Sequence, residues 1–384
     1  MAALSARLLA QVGAQSGMKV IALDVFGDSD TRAAASRWMP IGTPQALRID
    51  SQLLLETLAA LARGGAVQGW IAGTGFEGRA ELLEQGAAWL PLLGTSAADV
   101  RRLRDPQAFF ETLDALGIAH PEVRHAGVAG APGWLLKDFG ASGATHIRRA
   151  GMDRPASSQY LQRKAPGATM SATFLANGRE ALLLGCNQQI VRPFDDLPFR
   201  FHGVIGPVAV PAAVRTRIAR ALDALSASFC LRGLGSLDYL LDGDEVNVLE
   251  VNPRPPASMA LYPRVGDHAL FSAHLQACRG GALPDTAMGE DSAVGSPQVR
   301  GTEIVFAAQP LRLHDAALAA LAQNPATHDV PRRAATRADA PHFARGEPVC
   351  SISASGADAA GVSRELARRR NAVLHLLQTP ETCR

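Results

Sequence analysis

Three residues in the middle of the chain, Glu250, Asn252 and Arg254, could hold a divalent cation and an anion side by side. They fall in the run Ser236 to Ser258, SLDYLLDGDEVNVLEVNPRPPAS. Carboxylate and amide oxygens suit a hard cation such as Mg²⁺, whose other positions go to phosphate oxygens and water. The planar guanidinium of Arg254 suits a phosphate or a carboxylate. Leu237 to Leu241 and Val246 to Asn252 alternate apolar and polar residues, and Asp242-Gly243-Asp244 between them is a turn signal. The pattern predicts an antiparallel hairpin. Side chains two apart on a strand share a face, which places Glu250 with Asn252. A loop centred on Gly243 or Asp244 brings Asp238 onto that face from the neighbouring strand, and a one-residue change of register removes it. Pro253, Pro255 and Pro256 end the strand and stiffen what carries Arg254. The competing reading is an edge hairpin with a polar outer face. It accounts for Asp238 alone better than for Glu250, Asn252 and Arg254 together.

A second group surrounds one of the chain's scarce lysines. Of 38 basic residues only Lys19, Lys137 and Lys164 are lysine, so a surviving lysine can mark a place where a compact ammonium is needed. Gly133 to Lys137 reads as a strand leading into Asp138-Phe139-Gly140-Ala141-Ser142-Gly143-Ala144-Thr145. Glycines let backbone N–H groups approach an anion, and Ser142 and Thr145 add hydroxyls. No Gly-Lys-Ser or Gly-Lys-Thr opens a helix, so this is not a P-loop. A strand, a small-residue turn and a returning strand from His146 to Arg149 fit instead, and an ordinary hairpin is the competing reading.

These groups need elements to position them. Ala2 to Gln15 reads as a helix, Lys19 to Asp24 as a buried strand, Gln52 to Arg63 as a helix and Gly69 to Ala72 as a strand. That order suggests an open parallel sheet with a site at the carboxyl ends of its strands, where Asp24, Asp28, Thr31 and Glu77 fall. Helix capping is the competing role for each of these. No G-x-G-x-x-G follows the first strand, which argues against a dinucleotide site. Asp105 to Leu116 reads as a helix closed by Gly117. Ser158 to Lys164 and Ala168 to Leu175 read as strands, Phe199 to Pro207 as a glycine-punctuated loop, and Ala213 to Leu231 as an amphipathic helix behind the hairpin. Further on, Gly301 to Ala307 and Pro348 to Ala354 read as strands, Thr327 to Gly346 as a charged loop, and Ala357 to Leu377 as a long helix.

At 384 residues, two or three domains are expected. A 47% hydrophobic content with 36 Gly and 24 Pro describes a globular chain able to bury a core. A net charge of +2 without a long basic run argues against nucleic acid as a partner. Arg368-Arg369-Arg370 reads as a solvated helix face. Five cysteines with no C-x-x-C pair suggest neither a disulfide framework nor a zinc site and fit a reducing cytoplasm. Met1 to Ala14 lacks a basic start and reads as a helix rather than a signal peptide, and no apolar run is long enough to span a bilayer. A homo-oligomer is left open.

The segment NVLEVNPRP resembles the metal-binding strand of the ATP-grasp superfamily, with its E-x-N-x-R pattern. LDVFGDSDTR and AGTGFEG resemble the amino-terminal segment of one branch, predicted ATP-dependent carboligases related to biotin carboxylase and associated with methanopterin and methanofuran one-carbon carriers. The fold this implies is mixed α/β and α+β. A Rossmann-like domain spans 1–100, a two-lobed ATP-grasp body 101–290, and a β-rich closing segment with a terminal helix 291–384. The resemblance implies ATP and Mg²⁺ as cofactors, with Asp238, Glu250 and Asn252 as metal ligands. It implies Lys137 on the α- and β-phosphates beneath a flexible turn containing Gly140, Ser142 and Gly143. Arg104 stands where the family often has a phosphate-binding lysine. Gln162, Arg163 and Lys164 match the adenine hinge, where many members carry Glu. Ser171 is a neighbour of the ribose-phosphate, and Arg200, His202, Asp28 and Glu77 are candidate substrate contacts. Lys137 and Arg254 are the candidate catalytic residues. The activity implied is an ATP-dependent carboxylate–amine ligase working through an acyl phosphate on small-molecule acid and amine substrates, with glutamate ligation in methanofuran or tetrahydromethanopterin synthesis as the first pathway to consider. The alternatives are a bicarbonate-using carboxylase and a non-catalytic nucleotide-binding regulatory protein.

Overall fold

The computed structural model describes residues 1–125, 133–140, 147–151, 154–266, 268–284, 298–332 and 340–378. At the amino-terminal end, strand Ile21–Asp24 pairs in parallel with Arg37–Pro40. Parallel bridges join Ala2 to both Leu23 and Ala72, and Trp70 to Leu92. The expected open parallel sheet is present, but its middle position is taken by the first residues of the chain. The helix expected from Ala2 is corrected accordingly, because it begins only at Arg7 and runs Arg7–Gln15. Ala2 and Ala3 donate backbone hydrogen bonds to Ile71 and Leu23 at 2.9 and 3.0 Å. Their methyl groups are buried between the flanking strands. A short alanine-rich run has no periodicity that separates buried strand from helix. The loops after the three strands, at residues 5–6, 25–28 and 74–77, end side by side at the carboxyl edge of this sheet.

The largest element is an antiparallel sheet of eight strands. Its order is Glu245–Asn252, Arg232–Asp242, Ala168–Asn177, Ala181–Phe194, Leu197–Gly206, Val299–Phe306, Pro348–Gly356 and Thr327–His328. Strand Leu197–Gly206 replaces the loop expected at Phe199 to Pro207, since Val204 and Ile205 are buried and pair with both neighbours. Helix Ala212–Phe229 lies behind the hairpin as expected. Val214, Ile218, Leu222, Leu225 and Phe229 form one core with Leu237, Tyr239, Val248 and Val251. Helix Ala359–Gln378 covers the far end of the sheet through Val362 and Leu366. The arginine run on that helix is not simply a solvated face, because Arg370 donates to the buried Glu303 at 2.9 Å and Arg369 to the Ser353 carbonyl at 2.6 Å. The charged loop expected over Thr327 to Gly346 contains short strands at Thr327–His328 and His342–Phe343.

A separate four-stranded antiparallel sheet stands over the hairpin. Its order is Val123–Arg124, Gln159–Arg163, Trp134–Asp138 and Ile147–Arg149. Helix Pro106–Ala115, capped by the Asp105 side chain, packs Phe109, Phe110 and Leu113 into the core shared with Tyr160. No helix among the described residues is long and apolar enough to cross a membrane.

Candidate nucleotide and metal site

The hairpin forms with Asp242 paired to Glu245 around Gly243 and Asp244. Gly243 has φ +57°, a left-handed turn conformation that glycine adopts without strain. Pairing continues in register to Tyr239 and Val248 and then shifts by one, so that Asp238 faces Glu250 and Ser236 faces Asn252. The extra residue, Leu249, is a β-bulge. It separates two faces that strict alternation would merge: Val248 and Val251 go to the core, while Glu250 and Asn252 turn to the opposite side with Asp238. The polar row continues across the sheet, with Ser171 beside Asp238, Thr173 beside Ser236, and Asn187 beside Ser171.

Asp238 and Glu250 are two carboxylates brought face to face. Burial, and then the charge of Glu250, raise the pKa of Asp238, partly offset by a hydrogen bond from Gln189 and by Arg254. Asn252 bridges the pair, its amide nitrogen 3.4 Å from each carboxylate. Its oxygen accepts a 2.9 Å hydrogen bond from Arg104, which also lies 3.8 Å from Glu250. Like charges held this close favour a cation between them. All the donors are oxygens once the Asn252 amide presents its Oδ1, the set that suits Mg²⁺. Among the described residues no three His, Cys, Asp or Glu side chains converge on one metal position. A cation on the hairpin therefore needs further oxygens from outside the protein, which phosphates supply.

Arg254 extends from the strand end to Glu77 on the amino-terminal loop, Nε to Oε1 at 2.6 Å. The other Glu77 oxygen accepts from the Gly75 N–H at 2.7 Å. Burial alone would raise the Glu77 carboxyl, but Arg254, Arg104 and backbone donors outweigh it and hold the group below the usual carboxylate range. Next to it, Gly78 at φ +69° lies against Gly140, and a Cβ on Gly78 would stand 2.6 Å from the Gly140 Cα. The amino-terminal loop and the start of the glycine turn thus meet backbone to backbone.

Lys137 is buried on the small sheet and donates to Gln162 Oε1 at 2.9 Å. Burial lowers its pKa, while Glu250 and Asp238 act in the opposite direction. The amide nitrogen of Gln162 is buried without a partner. An orphaned donor beside a buried ammonium, facing two carboxylates and two guanidinium groups, fits a bound nucleotide. The other hinge positions differ. Arg163 and Lys164 are exposed, and their N–H groups are already donated to the Glu122 and Gly133 carbonyls, so neither N–H is available to an adenine edge. Gly140 is described, whereas Ser142 and Gly143 lie outside the described residues.

The remaining candidates are elsewhere. Arg200 stacks on Phe194 and Phe306 and donates to the Gly346 carbonyl. His202 sits edge-on to Phe306 beside Arg192, and burial, followed by Arg192, pushes it down to about 4. Both lie on the fifth strand of the sheet, away from the hairpin at its edge. Asp28 lines a cavity of about 1340 Å³ between the amino-terminal loops, the 255–261 segment and the carboxy-terminal strands. Neither Gln189 on the hairpin carboxylates nor Tyr160, which faces Glu250 and Arg104, stands in a recognisable motif. Only the strand alternation of Tyr160 with Gln162 and pairing with Lys137 could have pointed to that tyrosine.

Residues 105–258 match the family model of the ATP-grasp domain. Among solved structures, the chain is similar to biotin carboxylase from Campylobacter jejuni in a β-γ-ATP complex, with a TM-score of 0.68 at 12% identity, covering 98% of this chain and 93% of that one. It is similar to N5-carboxyaminoimidazole ribonucleotide synthetase from Thermus thermophilus, with a TM-score of 0.63 at 16% identity over 100% of both chains. It is also similar to L-amino acid ligase from Bacillus licheniformis, with a TM-score of 0.67 at 14% identity, covering 97% of this chain and 96% of that one. A comparison with curated protein sequences finds no match. The fold is that of the ATP-grasp proteins.

Proposed function

We propose that the protein is an ATP-dependent carboxylate–amine ligase working through an acyl phosphate. The observation that carries this reading is the pair Asp238 and Glu250, face to face beside Lys137, Arg104 and Arg254. Such a site suits a polyphosphate and its divalent cation, held together by opposite layers of charge. Asp238, Glu250 and Asn252 would hold Mg²⁺, which would supply charge neutralisation to the polyphosphate. Lys137 takes phosphate oxygens from the small-sheet side, with Gln162 fixing its ammonium. Arg104 and Arg254 stabilise charge on the transferring group, and Glu77 holds Arg254 in place.

A carboxylate oxygen of the acid attacks the γ-phosphorus, the bond to the β-phosphate oxygen breaks, and ADP leaves. An amine nitrogen then attacks the acyl carbon, loses a proton, and phosphate leaves as the amide forms. No covalent enzyme nucleophile is needed, so acceleration rests on positioning and electrostatics. The family match over 105–258 and the likeness to an L-amino acid ligase support this reading. Amino acids are the first acids to test, glutamate before others, on the resemblance to the one-carbon-carrier branch. The reading places the protein among soluble enzymes of small-molecule metabolism.

Replacing Lys137 by methionine keeps the aliphatic stem and removes the charge. A hydrogen bond to a charged group contributes about 1.5–3 kcal/mol, so ATP affinity should fall about 10- to 100-fold in calorimetry. An affinity equal to that of the parent protein would remove Lys137 from the phosphate site.

A further inference from the structure

The large cavity holds a carboxyl group that no described residue satisfies. Asp28 is 7% exposed and lines the cavity wall. Among the described residues its carboxylate receives no hydrogen bond and no ion pair, and it does not cap the helix that follows it. Its neighbours are already matched. Asp24 accepts from the Trp38 indole at 2.6 Å and from the Gly27 and Ala6 N–H groups at 2.8 and 3.0 Å. Asp329 takes the Arg7 guanidinium at 2.7 Å and the Ser5 hydroxyl at 3.2 Å, and Asp30 lies 3.7 Å from the same guanidinium. Two carboxylates thus share one arginine, and among the described residues no cation pairs with Asp28.

The pKa of Asp28 agrees with the geometry: burial, then Asp329, Asp30 and Asp24, push it up to about 8 against the pull of Arg7. Among the described residues no three ligating side chains converge on one metal position here. The same cavity is lined by the apolar side chains of Phe26, Leu8, Leu47 and Met259, together with the charged Arg7, Asp329 and Arg332. The cavity also reaches Gly73, Thr74 and Pro255, beside Glu77 and Arg254. The strand before Asp28 lies two strand spacings from the one before Glu77, roughly 10 Å.

We infer that this cavity binds a substrate with a primary ammonium group on an apolar body, the ammonium seated on Asp28 as an anchor and the other end directed toward Arg254. Its role as a substrate pocket rests on the ligase reading; the binding itself does not.

The test uses the full chain without nucleotide, with 2-phenylethylamine as the probe and 2-phenylethanol as its uncharged counterpart. Calorimetry at pH 9, where Asp28 is ionised and the amine still carries its proton, should show the amine binding at least about tenfold tighter than the alcohol, the discrimination expected of one charge-assisted contact. Asp28→Asn should remove that preference, and Ala257→Trp, which narrows the cavity from an exposed position, should weaken both probes. Equal affinity for the two probes, a preference that survives Asp28→Asn, or stabilisation by Mg²⁺ equal to that by the amine would overturn the proposal. Thermal unfolding adds a readout that ligand binding does not enter. A carboxyl whose folded pKa is raised keeps its proton in the folded state between about pH 4 and pH 8. Stability is therefore lost as pH rises through that window. Asp28→Asn should melt several degrees above the parent at pH 9, with the gap closing toward pH 5; a variant no more stable at pH 9 would contradict the unpaired carboxylate. Neither measurement involves ATP, so ADP release could fail while these results stand, which would overturn only the ligase reading.

Discussion

Glu250→Gln should reduce Mg-ATP-dependent turnover by at least about 10³-fold, the scale of removing a central electrostatic group from phosphoryl transfer. The fold should persist. Glu250 faces Asp238 across the hairpin, and in the absence of a cation the two carboxylates repel each other. The glutamine variant keeps the shape and relieves the repulsion, so its melting temperature should equal or exceed that of the parent. Parallel measurements of steady-state ADP release and thermal unfolding check both halves. Retained turnover would remove the metal role of Glu250, and loss of fold would make it a structural residue.

The second large effect concerns Arg254. The Glu77 side chain is 5% exposed, and its charge is held by Arg254 at 2.6 Å. Arg254→Met leaves a buried carboxylate largely uncompensated, which costs about 3–5 kcal/mol when one partner of a buried pair is removed. Arg104 is near enough to soften the loss. Glu77→Gln in the same chain should restore most of the stability, but turnover should stay low because the guanidinium is absent. A double-mutant cycle on unfolding free energy and on ADP release separates the two roles. If the double variant regained activity, Arg254 would be only the counter-ion of Glu77. If Arg254→Met unfolded no more easily than the parent, the pair would not be a structural tie.

The hairpin was legible because its turn and its alternation agree, and because Glu250 and Asn252 are two residues apart. The bulge was not. A two-residue loop at Gly243 and Asp244, continued without interruption, sets Asp238 opposite Leu249, and only the extra residue brings Glu250 across from it. Nothing local marks Leu249, since the shift follows from the need to bury Val248 and Val251 on one side. Glu77 and Arg254 are separated by 177 positions, and no pattern along the chain links them. Glu77 could be placed at the carboxyl edge of a parallel sheet, but its partner came from folding. The first strand was hidden by composition, because Ala2 and Ala3 carry too little side chain to show a period. Order in the chain puts Arg200 and His202 between the hinge strands and the hairpin, whereas their strand is the fifth of the sheet, counted from the hairpin edge. Asp28 was legible as a loop acid at a strand end; that it lacks a partner depends on Arg7 being shared by Asp329 and Asp30.

The most direct test of the account is ADP release from Mg-ATP across a panel of amino acids and small carboxylates, each with and without primary amines, with Glu250→Gln as the blank. The account predicts release above the blank only when an acid and an amine are both present, in equal amounts with the amide product. Release that requires bicarbonate alone would contradict the ligase and make the protein a carboxylase. ATP binding with no release above the blank for any pair would contradict catalysis itself and leave a nucleotide-binding protein.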